Sequence, residues 1–168
     1  CIRDRYKNEF VAICGPSGSG KSTLLNVICK QDTFDEGEIY YKGNETAYFN
    51  VDDMDDFRKN KVGFIFQNYN IIESYTVLQN VMLPYELKGL PTKEAKKKAL
   101  AIIDEVGLHD KINNRGAELS GGQKQRCVIA RALAFEPEIL ACDEPTGNLD
   151  SETGAEIMAL IAKIAHDK

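Results

Sequence analysis

Apolar positions along this chain fall into two patterns. Short continuous runs occur at Phe10-Val11-Ala12-Ile13-Cys14, at Lys61-Val62-Gly63-Phe64-Ile65-Phe66 and at Ile139-Leu140-Ala141-Cys142. Runs of this length, rich in β-branched and aromatic residues, predict buried strands. Glu38 to Gly43 reads as a further strand, entered through Gly37. Elsewhere the apolar residues recur at steps of three and four. Thr23 to Ile28 predicts the first turns of a buried helix, and Thr76 to Leu83 predicts another that Pro84 interrupts. After Pro91, Thr92 is placed to cap a helix with Ala95, Ala99, Ile102, Ile103 and Val106 on one face. Lys93, Lys96, Lys97 and Lys98 form its wet face. Lys124 to Ala134 predicts a helix with Ser120 as N-cap, and Ser151 to Lys168 one with Ile157, Leu160, Ile161 and Ile164 inward. Between these lie polar breaks at Gln67-Asn68-Tyr69-Asn70 and at the turn Gly147-Asn148-Leu149-Asp150. Asp52 to Asn60 reads as a short exposed helix or loop whose four aspartates are solvated.

Strands alternating with helices predict an α/β domain with a mostly parallel sheet. The helical middle, residues 68–134, interrupts that alternation. It is expected to form a helical subdomain set against a core made of residues 1–67 and 135–168. With 168 residues the chain is one domain with room for a full core. Its net charge of −5 argues against a broad basic face for nucleic acid. No apolar run approaches the ~20 residues that span a bilayer. The five cysteines show no C-x-x-C spacing, which leaves reduced thiols and a cytosolic location as the default. Cys14 and Cys142 lie within strand-like runs and read as small hydrophobes.

The most informative stretch is Gly15-Pro16-Ser17-Gly18-Ser19-Gly20-Lys21-Ser22-Thr23, which fits G-x-x-x-x-G-K-[ST]. It sits between a predicted strand and a predicted helix, the context this phosphate-binding loop requires. Glycines let the backbone turn tightly and bring N–H groups close to a polyphosphate. The helix N-terminus adds partial positive charge below the phosphates. Lys21 supplies a full charge for the β- and γ-phosphates, and the Ser22 hydroxyl can ligate Mg²⁺.

Two further stretches bear on the same chemistry. The strand ending at Cys142 delivers Asp143 and Glu144. In a phosphate-loop protein the first acid reaches Mg²⁺, and the second can orient or polarise an attacking water. Leu119-Ser120-Gly121-Gly122-Gln123 exposes backbone N–H groups at a helix start, a second anion-binding terminus. Standing alone it reads equally well as an ordinary glycine turn.

Taken in order, the phosphate loop, Gln67, Leu119 to Gln123 and Ile139 to Glu144 resemble the ATP-binding cassette (ABC) ATPases, that is, phosphate-loop NTPases with an inserted α-helical subdomain. Tyr75-Thr76-Val77-Leu78-Gln79-Asn80-Val81-Met82-Leu83-Pro84 and Asp143-Glu144-Pro145-Thr146-Gly147-Asn148-Leu149-Asp150 look like the lipoprotein-releasing and macrolide-exporting subgroup. The resemblance implies an ATPase that uses ATP and Mg²⁺. Gln67 would sense Mg²⁺ and the γ-phosphate, Glu144 would be the catalytic base, and Asp150 would lie at a dimer seam. Two such domains would pack head to tail, with Ser120, Gly121, Gly122 and Gln123 of one facing the phosphate loop of the other across ATP. An integral membrane permease would hold the subunit on the inner face of the membrane, receiving it around Gln67 to Pro84.

The same resemblance places an adenine-stacking aromatic well upstream of the loop, a role for which Tyr6 is too close. It also places a switch histidine on a strand after the last helix, lying between the phosphate-loop strand and the Asp143 strand. His166 has helical surroundings and does not fit that position, and His109 reads as a solvated loop residue. The chain opens at Cys1 without an initiator methionine and stops at Lys168 within a helical pattern. It is therefore expected to be a fragment, and a poor ATPase as written. Two other functions compete. A soluble ABC protein acting on DNA or ribosomes is disfavoured by the acidic balance. A small-molecule phosphate-loop kinase has no use for Leu119 to Gln123.

Overall fold

The computed structural model describes residues 9–167, so Tyr6 lies outside the described residues. Helix α1, Lys21–Ile28, follows the phosphate loop. Strands β1, Tyr40–Tyr41, and β2, Asn44–Glu45, pair as a small antiparallel hairpin. Helix α2, Val51–Asp56, is closed at its start by a reciprocal cap between Asn50 and Asp53, and it runs into a π-helical turn, Phe57–Lys61. Strand β3, Val62–Ile65, leads to helices α3, Val77–Leu87, and α4, Thr92–Glu105. Helix α5, Gly121–Leu133, strand β4, Ile139–Cys142, and helix α6, Ser151–Asp167, complete the chain.

Strands β3 and β4 pair in parallel, Val62 opposite Ile139 and Ile65 opposite Cys142. Side chains alternate across a sheet, so this register sorts them between two cores. Val62, Phe64, Ile139 and Ala141 join Cys29 and Phe57 on one face. Ile65, Leu140 and Cys142 turn to the other, where α3, α4, α5 and α6 bury the larger cluster. Gly63 is the point of closest approach. A Cβ there would stand 2.9 Å from Pro137 Cγ and 3.3 Å from the Ala132 carbonyl oxygen at the end of α5. Within the larger cluster Ala95, Ala99, Ile102, Ile103 and Val106 face inward, as their spacing requires, and so do Ile157, Leu160, Ile161 and Ile164.

Several sequence expectations are corrected. Residues 10–14 form no strand among the described residues, and Phe10, Val11 and Ile13 are 40–42% exposed. A strand exists only through a ladder partner. Here β3 and β4 pair with each other, and the described residues supply no strand beside residues 10–14. Cys14 is accordingly exposed rather than buried, whereas burial, followed by the neighbouring Cys29, pushes the half-buried Cys142 thiol up to about 12. For the same lack of cover α1 carries no buried residue, and Leu24 is exposed. Pro84 does not end α3. It sits buried inside it, and Lys88 N–H still donates to its carbonyl at 3.1 Å. Only the single bond that a Pro84 N–H would have made is lost, and burial of its ring offsets that. Helix α4 takes Pro91 as its N-cap and starts at Thr92, whose hydroxyl makes no cap bond; the Pro91 carbonyl accepts from Glu94 and Ala95 instead. Lys98 is not only a wet-face residue, because it reaches Glu136 at 2.9 Å. Three of the four aspartates of 52–56 are engaged locally: Asp53 in the α2 cap, Asp55 with Arg58 and Lys59, and Asp56 with the Asn60 amide.

Two polar anchors hold loops to this frame. Fully buried Asn80 donates to the carbonyls of Ile72 and Thr76, both at 3.0 Å, and accepts from Ile72 N–H at 3.0 Å. Its side chain thus replaces secondary structure for the segment that leaves β3. At the foot of β4, the Glu138 carboxylate collects Lys42, Lys61 and the Tyr41 hydroxyl. These partners, Lys42 first, hold its carboxyl down at about 2, against an ordinary 4.5.

Asn80→Ala is expected to lower stability by about 1–3 kcal/mol, since it strands the Ile72 amide, while the Ile72 carbonyl keeps its bond from Tyr75 N–H at 3.1 Å; chemical denaturation will measure it. Because the folded-state value of Glu138 is depressed, its contribution is present above pH 4.5 and is lost as pH falls toward 2. Glu138→Gln should therefore flatten the acid limb of a melting-temperature profile within that window and leave the neutral limb parallel to the parent's.

Candidate functional site

Both central strands leave the sheet at one edge. Asp143 N–H donates to the Ile65 carbonyl at 2.9 Å, carrying the pairing one residue past β4. Gln67 and Glu144 therefore emerge side by side, and Gln67 Nε2 donates to Glu144 Oε2 at 3.1 Å. The carboxyl ends of parallel strands are where α/β folds place ligands. Glu144 has φ +47°, a left-handed conformation uncommon for a residue with a side chain. That turn sends its carboxylate back toward Gln67.

The phosphate loop joins the same edge. Gly18 and Gly20 take φ +79° and +85°, conformations that favour glycine, and Gly20 sets the start of α1. A Cβ on Gly15 would stand 2.8 Å from Ser19 Oγ, so a side chain there would have to turn the Ser19 hydroxyl aside. Lys21 Nζ folds back to the Pro16 carbonyl at 2.9 Å, and Ser19 N–H reaches the same oxygen at 3.3 Å. Ser17 and Thr23 are exposed on either side. The decisive link is Ser22, whose hydroxyl donates to Asp143 Oδ1 at 2.8 Å across 121 residues of sequence. A hydroxyl and a carboxylate so placed are oxygen donors of the kind a hard cation such as Mg²⁺ takes.

The Leu119 to Gln123 stretch is built as a helix start. Ser120 and Gln123 cap each other: Gln123 Oε1 accepts from Ser120 N–H at 3.0 Å and Ser120 Oγ from Gln123 N–H at 3.4 Å. A Cβ on Gly121 would stand 3.0 Å from Tyr69 Oη and 3.2 Å from Leu149 Cδ2, and one on Gly122 would stand 2.5 Å from Thr153 Cγ2. At Gly122 a methyl would have to displace Thr153, whose hydroxyl Asp150 holds at 2.7 Å, whereas at Gly121 it would press only on the ends of the Tyr69 and Leu149 side chains. Among the described residues no hydrogen bond joins Ser120 to Gln123 with the phosphate loop, so the two helix starts stand apart. Asp150 caps α6 through Thr153, at 2.9 Å to its N–H and 2.7 Å to its hydroxyl. His109 bonds Asp104 at 2.5 Å, and His166 is an exposed residue of α6's last turn.

A groove of about 310 Å³ opens beside the strand that leads to Gln67. Phe64, Phe66 and Phe135 supply its apolar walls and Arg58, Lys59 and Arg131 its cationic ones. The larger hollow, about 500 Å³ at the β1–β2 hairpin and α2, shares none of the residues above.

Residues 4–147 match the family model described as ABC transporter. The chain belongs to the ABC transporter family. It is 46% identical, over 94% of its length and 70% of the relative's, to the lipoprotein-releasing system ATP-binding protein LolD of Aquifex aeolicus. It is 44% identical to the macrolide export ATP-binding/permease protein MacB of Aggregatibacter actinomycetemcomitans, over 94% of this chain and 24% of that protein. Among solved structures, the dimeric ABC transporter cassette MJ0796 superposes with a TM-score of 0.85 at 43% identity, covering 98% of this chain and 73% of that one. A second structure of MJ0796, a dimeric post-hydrolysis state bound to ADP and Pi, gives 0.84. The α/β phosphate-loop NTPase fold and the ABC membership expected from the motifs are thus established.

Residues that pattern alone did not single out are Tyr69, Gly147 and Asn148. Each sits in what reads as a polar break or turn, and only the packing reveals what it touches. At the helix start, Gly122→Ala should push α5 off Thr153 and lower stability by about 1–3 kcal/mol, read as a lower urea midpoint with an unchanged slope.

Proposed function

We propose that this ABC ATPase binds and hydrolyses MgATP as the nucleotide-binding subunit of a membrane transporter. The observation that carries the reading is the Ser22–Asp143 bond at 2.8 Å next to the Gln67–Glu144 bond at 3.1 Å, with Lys21 beside Ser22 in the phosphate loop. Lys21 leaves the Pro16 carbonyl for the β- and γ-phosphates. Loop N–H groups and the start of α1 hold the remaining phosphate oxygens. Ser22, Asp143 and Gln67 would hold Mg²⁺, which when bound supplies charge neutralisation between the β- and γ-phosphates. Glu144 accepts a proton from the attacking water and orients it.

Residues 68–134 act as a helical subdomain that moves against a core of residues 1–67 and 135–168, with Gln67 at the joint. In an ATP-bound dimer, Ser120 to Gln123 of one copy complete the phosphate cage of the other, and Asp150 lies at the seam. The assembly is consistent with the dimeric form of the MJ0796 cassette. The segment Gln67 to Pro84, adjoining the groove walled by Phe64, Phe66 and Phe135 and by Arg58, Lys59 and Arg131, receives a cytoplasmic helix of the integral permease. That partner holds the subunit on the inner face of the membrane. No nucleic-acid partner is proposed, in keeping with the net charge of −5.

Lys21→Ala is expected to weaken ATP binding by at least about tenfold, since it removes a full charge from ground-state phosphates. Glu144→Gln should keep ATP affinity and lose about 10²–10⁴-fold in turnover, the usual worth of a general base. Nucleotide titration and phosphate release separate the two; parent-rate hydrolysis by Glu144→Gln would remove Glu144 from the role of base. Co-purification with a detergent-solubilised permease tests the partner, and recovery of nucleic acid or ribosomes instead would favour the soluble alternative.

A further inference from the structure

The turn after β4 grips Gln67 at three places. Asn148 Nδ2 donates to the Gln67 backbone carbonyl at 3.0 Å. Glu144 Oε2 accepts from the Gln67 side-chain amide at 3.1 Å. Gly147 leaves the room for that amide, because a Cβ there would stand 3.3 Å from Gln67 Nε2 and 3.5 Å from Glu144 Oε2. The turn is itself fixed by Gly147 N–H to the Glu144 carbonyl at 3.0 Å and Leu149 N–H to the Thr146 carbonyl at 3.1 Å. On the far side of the polar break, Arg131 of α5 donates to the Asn70 carbonyl at 2.8 Å. Gln67 thus leaves β3 into a segment with no ladder of its own, and its backbone is held by two side chains from elsewhere in the chain.

We propose that Asn148 is a positioning residue: its amide fixes the backbone of Gln67 so that the Gln67 side chain meets Glu144 and the cation donors Ser22 and Asp143. The physical logic is one of leverage. Gln67 has three side-chain torsions, and its amide is useful only in a narrow range of directions. Fixing the carbonyl of the same residue removes the backbone part of that freedom. Asn is suited to the task, since its short amide presents a donor at fixed reach and Asp of the same shape presents only acceptors. Leu149, next to Asn148, packs against Gly121 at the start of α5. The same turn therefore ties Gln67 to the second anion-binding helix terminus.

The inference rests on the reading of Gln67 as a cation and γ-phosphate sensor, and the experiment separates the two. Asn148 is exposed, so Asn148→Ala and Asn148→Asp are expected to melt within a few degrees of the parent. Asn148→Ala should lower kcat by about tenfold, the worth of roughly one hydrogen bond, with KM for ATP changed less than about twofold. Asn148→Asp, isosteric but lacking the donor, should fall at least as far. In a Gln67→Ala background, Asn148→Ala should cause no further loss, because a residue acting only through Gln67 has nothing left to position. A readout independent of turnover is the side-chain amide resonance of Gln67 in ¹⁵N-labelled protein, which should shift and broaden in Asn148→Ala. An unmoved resonance, or losses that multiply in the double variant, would overturn the proposal. Parent-like turnover in Gln67→Ala would refute the sensing role of Gln67, while the resonance still decides whether Asn148 holds it.

Discussion

The parallel pairing of β3 with β4 is the constraint on which the rest of the structure depends. Its register puts Ile65 opposite Cys142 and carries one bond further, to Asp143. Everything chemical follows from that alignment. Gln67 lies two residues past Ile65 and Glu144 two past Cys142, so the two polar side chains emerge at one height and meet. A slip of β4 by one residue against β3 would turn Leu140 and Cys142 toward the smaller core and Ile139 and Ala141 toward the larger one, and would part Gln67 from Glu144. The two apolar clusters on opposite faces are what forbid the slip, so burial energy, not polar contact, sets the geometry of the site.

Glycines act at the close contacts around this alignment. Gly63 lets α5 settle over the sheet, Gly121 and Gly122 let the start of α5 meet Tyr69, Leu149 and Thr153, and Gly147 admits the Gln67 amide. At these four positions the demand is for space rather than for unusual backbone angles. Gly18 and Gly20 of the phosphate loop answer the opposite demand, for positive φ. One residue type thus serves two physical needs in one site. The polar bonds that finish it, Ser22 to Asp143, Gln67 to Glu144 and Asn148 to Gln67, are individually worth about 0.5–1.5 kcal/mol. Bonds of that size can be exchanged for bonds to a nucleotide and a cation without unfolding the frame that carries them.

Family membership was legible in the sequence because its motifs are short stretches. Gly15 to Thr23 is recognisable within ten residues, Leu119 to Gln123 gains its meaning from the order of motifs in which it stands, and helical faces such as Ala95 to Val106 declare themselves by period. Expectations failed where an element depends on something distant. Phe10 to Cys14 has the composition of a strand, yet no described strand lies beside it to make it one. Pro84 breaks a helix by local rules, but burial within the bundle holds α3 continuous through it. Asn148 and Gly147 look like generic turn residues, since nothing near them in sequence says that Gln67, some eighty positions earlier, is their partner. Local order and residue chemistry are properties of neighbouring residues, and the sequence by itself determined them. The strand register, the close contacts at glycine and the clasp on Gln67 are properties of pairs far apart in the chain, and only tertiary packing, which decides which distant surfaces share a core, brought them together.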